Sequence, residues 1–156
     1  MSFFVSEFLP FLEKQPHVVL GLHEQDGEKK LVRLYRPGEE KAYIELKGQT
    51  LEAFAIGEGF FEVEVPLDTS FDDYRVFHVN GLLGRDPYGF DVSLGDQDLY
   101  YFTQGLHYEL YKVLGGRVHT TQGVKGVRFT LWAPSAEAVH LVADFNHWDD
   151  RVTPMR

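Results

Sequence analysis

Histidines, paired carboxylates and tryptophans are the side chains here with the chemistry to build a site. The seven histidines stand at 17, 23, 78, 107, 119, 140 and 147. No two are four residues apart, so no helix turn offers two imidazoles to one metal, and there is no cysteine to complete a ligand set. Neither a metal centre nor a cofactor is expected. Adjacent carboxylates occur at Glu39-Glu40, Asp72-Asp73 and Asp149-Asp150. Neighbours in sequence point apart, whereas acid/base cleavage of a glycosidic bond holds two carboxyls about 5 to 10 Å apart across it. These pairs read as solvated turn residues. The glycines of GEGF at Gly57 are wrongly spaced for a phosphate loop, and no nucleophile elbow occurs. No catalytic residue is expected within the chain.

Binding chemistry is left, and it centres on the two tryptophans. Trp132 ends an alternating run directly before Ala133-Pro134, where its ring is expected to lie over the edge of a sheet. Trp148 sits in DFNHWDD, a polar stretch with Asp144, Asn146, His147, Asp149 and Asp150 around it. An exposed indole among amides and carboxylates suits a sugar, because the ring face stacks on C–H groups while the polar groups bond hydroxyls. Trp148, Asn146 and Asp149 are therefore the candidate sugar contacts. The alternative is that Trp148 folds back and caps the end of the sheet.

The elements that must position these residues follow from periodicity. Ser6 is placed to cap a short helix through Lys14, with Pro10 tolerable only near its first turn. A period of two then begins: Val18, Leu20 and Leu22 alternate, and Asp26-Gly27 turns the chain into KKLVRLYR. KAYIEL, LEAFAI, FFEVEV and YRVFHV follow, separated by Pro37-Gly38, Lys47-Gly48 and Asn80-Gly81. In FFEVEV, Phe61, Val63 and Val65 point inward and Glu62 and Glu64 toward water. Short strands punctuated in this way predict an immunoglobulin-like antiparallel β-sandwich in an all-β fold. A connecting helix follows, capped by Ser93 or Asp96 and carrying Leu99, Phe102, Leu106, Leu110 and Val113, with Gly105 placed to break it. From Arg117 the chain reads as strand again, with Val127, Phe129 and Leu131 in one run and Val139, Leu141, Ala143 and Phe145 in another. The expected division is 1–116, a complete sandwich module with its terminal helix, and 117–156, an incomplete second sandwich.

Composition narrows the partners. With 15 Lys plus Arg against 24 Asp plus Glu, the formal charge of −9 would repel a phosphate backbone, so nucleic acid is not expected. The apolar start from Phe3 to Phe11 lacks a basic flank and is broken by Pro10, so neither a signal peptide nor a membrane anchor is expected. The absence of cysteine suits a reducing, cytoplasmic setting. Aromatic residues make up 15% of the 156 residues, enough rings to fill the gap between two sheets.

Several stretches together carry a resemblance. PHVVLGLH (16–23) resembles the entry strand of the additional N-terminal β-module of long bacterial glycogen branching enzymes, members of the α-amylase superfamily. DPYGF (86–90), DLYYFTQGLHYELYKVLGG (98–116) and GVKGVRFTLWAP (123–134) follow in that family's order, and the last 31 residues, from Gly126, look like the start of its isoamylase-type carbohydrate-binding β-sandwich. The chain departs from the usual pattern at Gln104-Gly105 and at Leu114-Gly115-Gly116-Arg117. The resemblance implies an enzyme that cleaves an α-1,4-glucan and transfers the segment to a 6-hydroxyl by a retaining double displacement. Its aspartate nucleophile, glutamate acid/base and second aspartate would lie in a barrel beyond Arg156, the same polypeptide's catalytic barrel being a partner of these modules. The modules themselves would hold α-glucan, whether glycogen or malto-oligosaccharide, and influence the transferred length. Two alternatives compete with this: a stand-alone β-sandwich that binds another polypeptide at a sheet edge, and a debranching or trehalose-forming relative, which would generally lack the first module.

Overall fold

A computed structural model describes residues 5–25, 27–78, 81–92, 94–148 and 153–156. The chain divides into two compact units, Met1–Gly89 with Ala138–Arg156, and Phe90–Glu137. Among the described residues, no helix is long and apolar enough to cross a membrane.

The first unit is built on β1 (Gly21–Gln25), β2 (Lys29–Tyr35), β3 (Ala42–Leu46), β4 (Gln49–Gly57), β5 (Phe60–Val65), β6 (Tyr74–Phe77) and β7 (Leu83–Gly84). These pair antiparallel in the order β1-β2-β5-β4-β3-β6-β7, one curled, sandwich-like sheet with β1 and β7 at its ends. The all-β class expected from the alternation is what forms. Val32 and Leu34 of β2 and Phe61, Val63 and Val65 of β5 bury against Ile44 of β3 and Tyr74 and Val76 of β6. Two-residue turns set the register. Lys47-Gly48 and Glu58-Gly59 both have φ positive at their two central positions (47° and 84°, 54° and 80°), which matches the right-handed twist of the flanking strands. Gly59 is needed twice over, because a Cβ there would stand 2.8 Å from Pro37 Cα.

The other face of β2 and β5 is covered as well. Phe60, Leu31 and the stem of Arg33 lie there under the N-terminal segment, where Phe8, Val19 and Leu20 are buried with Phe60. That covering corrects two expectations. Pro16–Val18 form a 3-10 turn and β1 begins only at Gly21, because Pro16 fixes its own φ and opens a turn whose Val19 and Leu20 are both buried, which adjacent residues of a one-faced strand cannot be. Glu62 does not simply face water: its Oε1 accepts from Arg33 Nε at 2.7 Å, while Arg33 also donates to the Val19 carbonyl. Ser6 is not a cap either. It lies inside a 3-10 turn (Val5–Glu7), and α1 (Leu9–Lys14) starts at Phe8 with no side-chain cap, Pro10 occupying its first turn.

In the second unit the expected helix is divided into α2 (Asp96–Thr103) and α3 (Leu110–Val113), with Gly105, at φ 67°, in the break between them as expected. Gly95 occupies the N-cap position without a side-chain bond, Asp96 is the first helical residue, and Ser93 lies outside the described residues. β8 (Gly115–Thr121) and β9 (Val124–Thr130) form a hairpin closed by Gln122-Gly123, again with φ positive at both positions.

Candidate functional site

The strand expected over Val139 to Phe145 does not form a ladder. Among the described residues its only β-pairing is the bridge His140–Pro154, flanked by Leu141 N donating to Thr153 O and Met155 N to Val139 O. A strand needs a partner along its length, and here only Thr153 to Met155 run beside it. The chain instead enters a 3-10 turn (Asp144–Asn146) and leaves it with His147 and Trp148 both left-handed, at φ 56° and 59°.

This turn places two of the three candidate residues, in different ways. Trp148 is 66% exposed, and its Nε1–H donates to Asp144 Oδ1 at 2.9 Å. Asn146 is 5% exposed and turned inward. Its Oδ1 accepts from Ala143 N at 2.8 Å, and its Nδ2 donates to Leu141 O at 2.8 Å and Thr153 Oγ1 at 2.7 Å. Asp149 lies outside the described residues. The arrangement offers an open indole face on a tied loop, which is the geometry for stacking on the C–H face of a sugar ring. Phe145, also exposed, lies on the same turn. Trp132 belongs to the second unit, where its ring packs on Phe102 of α2 with centroids 4.5 Å apart. Sequence reasoning named Asp144 only as a neighbour of Trp148. The one available signal was that a carboxylate stood within reach of an indole N–H, which spacing alone does not turn into a bond.

The family described as "alpha-1,4-glucan branching enzyme GlgB, N-terminal domain" matches residues 6–88. The chain belongs to that family. Its closing residues, 113–156, match a second family, "Carbohydrate-binding module 48 (Isoamylase N-terminal domain)", and the Trp148 turn lies inside that match. Relatives named "1,4-alpha-glucan branching enzyme GlgB" include one from Protochlamydia amoebophila (strain UWE25), 50% identical over 143 residues, which are 91% of this chain and 20% of the relative. Those of Chlamydia pneumoniae and Chlamydia abortus (strain DSM 27085 / S26/3) are 40% and 38% identical over 144 residues, 92% of this chain and 20% of each relative. The chain thus spans about a fifth of the length of the relatives it matches.

In this branching-enzyme N-terminal domain the buried titratable groups serve packing. Asp86, from the DPYGF stretch, is 2% exposed; its Oδ2 accepts from Tyr74 Oη at 2.7 Å and its Oδ1 from Tyr88 N at 2.9 Å. Burial pushes its carboxyl above the ordinary aspartate range, opposed by these hydrogen bonds and by the charge of Arg36. Among the described residues no three histidines, aspartates or glutamates converge as a metal site would require. A groove of about 390 Å³ lies beside β1, with Phe8, Phe11, Val18 and Leu31 among its apolar lining and Glu7 and Glu24 among its polar groups.

His17 and His23 are both held below the ordinary histidine value, first by burial, with Arg156 adding to it at His17 and Arg33 at His23; the Leu20 carbonyl pulls His23 the other way. A depressed folded-state value means that the folded protein binds fewer protons than the unfolded chain. The stability this confers is complete above pH about 6.5 and is lost as pH falls through the folded values. Asp86 has the opposite sign, its contribution being complete below about pH 3.9 and lost as pH rises through its raised value. The His17 ring stands edge-on to Tyr88, centroids 5.3 Å apart, and its Nδ1 is buried without a hydrogen-bond partner. His17→Phe keeps the ring and removes the titration. Its thermal midpoint is expected to fall less steeply than that of the wild type between pH 6.5 and 5, as followed by circular dichroism; parallel curves would refute the assignment.

Proposed function

We propose that this chain is the non-catalytic amino-terminal part of a 1,4-α-glucan branching enzyme, assisting the binding of α-glucan and the choice of transferred length. The observation that carries this is Trp148, an open indole on a tied turn, within the residues that match a carbohydrate-binding module. Relatives named as branching enzymes, matching over nine-tenths of the chain, support the enzyme class. The boundary belongs near Gly116, so that 1–116 is the first β-module and 117–156 the opening of the second; the family matches at 6–88 and 113–156 favour that division. Its partners are glycogen or malto-oligosaccharide and the catalytic barrel of the same polypeptide, in the cytoplasm. An acidic surface and a neutral polysaccharide are compatible, since no phosphate has to approach.

The test is a titration with maltoheptaose and glycogen followed by tryptophan fluorescence, for the wild type and for Trp148→Ala. Loss of one stacking aromatic should weaken binding at least tenfold, while the protein alone should form no α-1,6 linkage. Equal binding by both proteins would remove Trp148 as the contact, and branching activity in the isolated chain would sink the non-catalytic assignment.

A further inference from the structure

We infer that Asp144 is a positioning residue that pins the Trp148 indole in a preset orientation, an inference that rests on the reading of Trp148 as the glucan contact. Two successive non-glycine residues in the left-handed region, one of them a bulky aromatic, are strained and persist only where their surroundings over-determine them. The surroundings do so in three layers.

The first is Asn146, whose three side-chain bonds tie the entry of the turn at Leu141 and Ala143 to its exit at Thr153. The second is backbone. His147 N donates to Asp144 O at 3.2 Å and Trp148 N to Ala143 O at 3.1 Å, which bring residue 148 back over the start of the turn. The third is the 2.9 Å bond from Trp148 Nε1 to Asp144 Oδ1. An indole has a single N–H donor, so committing it to one acceptor restricts rotation about both side-chain torsions.

Two consequences follow for recognition. With its donor already taken, the ring meets a sugar through its face, and hydroxyl recognition falls to other groups. The ring is also ordered before the ligand arrives, so binding does not bear the ordering cost of about 0.5 to 1.5 kcal/mol for a mobile side chain. At about 1.4 kcal/mol per factor of ten in affinity, releasing the pin should weaken glucan binding roughly two- to tenfold.

The experiment compares wild type, Asp144→Asn and Asp144→Ala with ¹⁵N-labelled tryptophan. The chain has two tryptophans, so it gives two indole N–H signals, and that of Trp132 is the internal reference. Asparagine keeps an acceptor oxygen at the same place and alanine removes it. Solvent exchange of the Trp148 indole proton is expected to be slow in the wild type and in Asp144→Asn and fast in Asp144→Ala, with Trp132 unchanged in all three. Maltoheptaose affinity should fall roughly two- to tenfold in the alanine variant alone. Equal indole exchange in all three proteins overturns the inference, as does an asparagine variant that exchanges as fast as the alanine one. If the wild type binds no maltoheptaose, the glucan reading fails, and the exchange rates still decide whether the pin exists.

Discussion

Asp86→Ala is expected to destabilise the first unit by about 2 to 5 kcal/mol. The carboxylate is the shared acceptor of the Tyr74 hydroxyl and the Tyr88 backbone N–H, and Tyr74 itself is buried in the main core. Removing it leaves two donors without a partner, each costing about 1 to 3 kcal/mol. Part of that loss is returned, because burial already penalises the charged form of Asp86. Asp86→Asn separates the two effects. It keeps a carbonyl oxygen for Tyr88 N but turns an amide N–H toward the Tyr74 hydroxyl, which can accept from it while its own proton loses the acceptor, so it should cost about 1 to 3 kcal/mol in urea unfolding, less than alanine. If asparagine proves as damaging as alanine, the charge and its attraction to Arg36 matter more than the acceptor geometry.

Phe60→Ala should cost about 3 to 5 kcal/mol, the usual range for emptying a fully buried phenylalanine site. Its distribution is the more telling result. Phe60 lies on the sheet face away from the main core, with the Phe8 ring edge-on at 5.5 Å and Tyr35 at 4.9 Å. The loss should therefore fall first on the N-terminal segment. Amide hydrogen exchange is expected to show residues 5–20 opening well before the sheet in Phe60→Ala. Phe61→Ala, one residue along and facing the main core, should loosen both together. Uniform exchange in Phe60→Ala would mean that the segment and the sheet open as one unit.

Much of the fold was legible because its signals are local. Ala42 and Ile44 of β3, Phe61, Val63 and Val65 of β5 and Tyr74 and Val76 of β6 alternate with less buried residues, and Gly48 of the Lys47-Gly48 turn takes the left-handed conformation that glycine allows. What escaped depended on residues distant in sequence. Leu20 looks like a strand position until the opposite face of β5 is seen to need a cover, and Glu62 looks solvated until Arg33 is brought across from β2. The site divides in the same way. The composition of DFNHWDD pointed to a polar loop with an exposed ring, and Trp148 is open on that loop. That Asn146 turns inward follows from Thr153 and Leu141, whose approach no spacing rule announces. The burial of the aspartate of DPYGF likewise required a tyrosine from β6, which no local signal announces.

The strand order also carries a timetable. The hairpins β1–β2, β3–β4, β4–β5 and β6–β7 join neighbours across short turns and can close within microseconds, but Arg33 and Glu62, which join β2 to β5, are 29 residues apart. At synthesis rates of about 5 to 20 residues per second, β2 leaves the ribosome more than a second before its partner. Throughout that interval it carries apolar side chains on both faces, Leu31 on one and Val32 and Leu34 on the other. Chaperone contact during translation would fall on β2, and end when the meander of β3, β4 and β5 arrives to cover it.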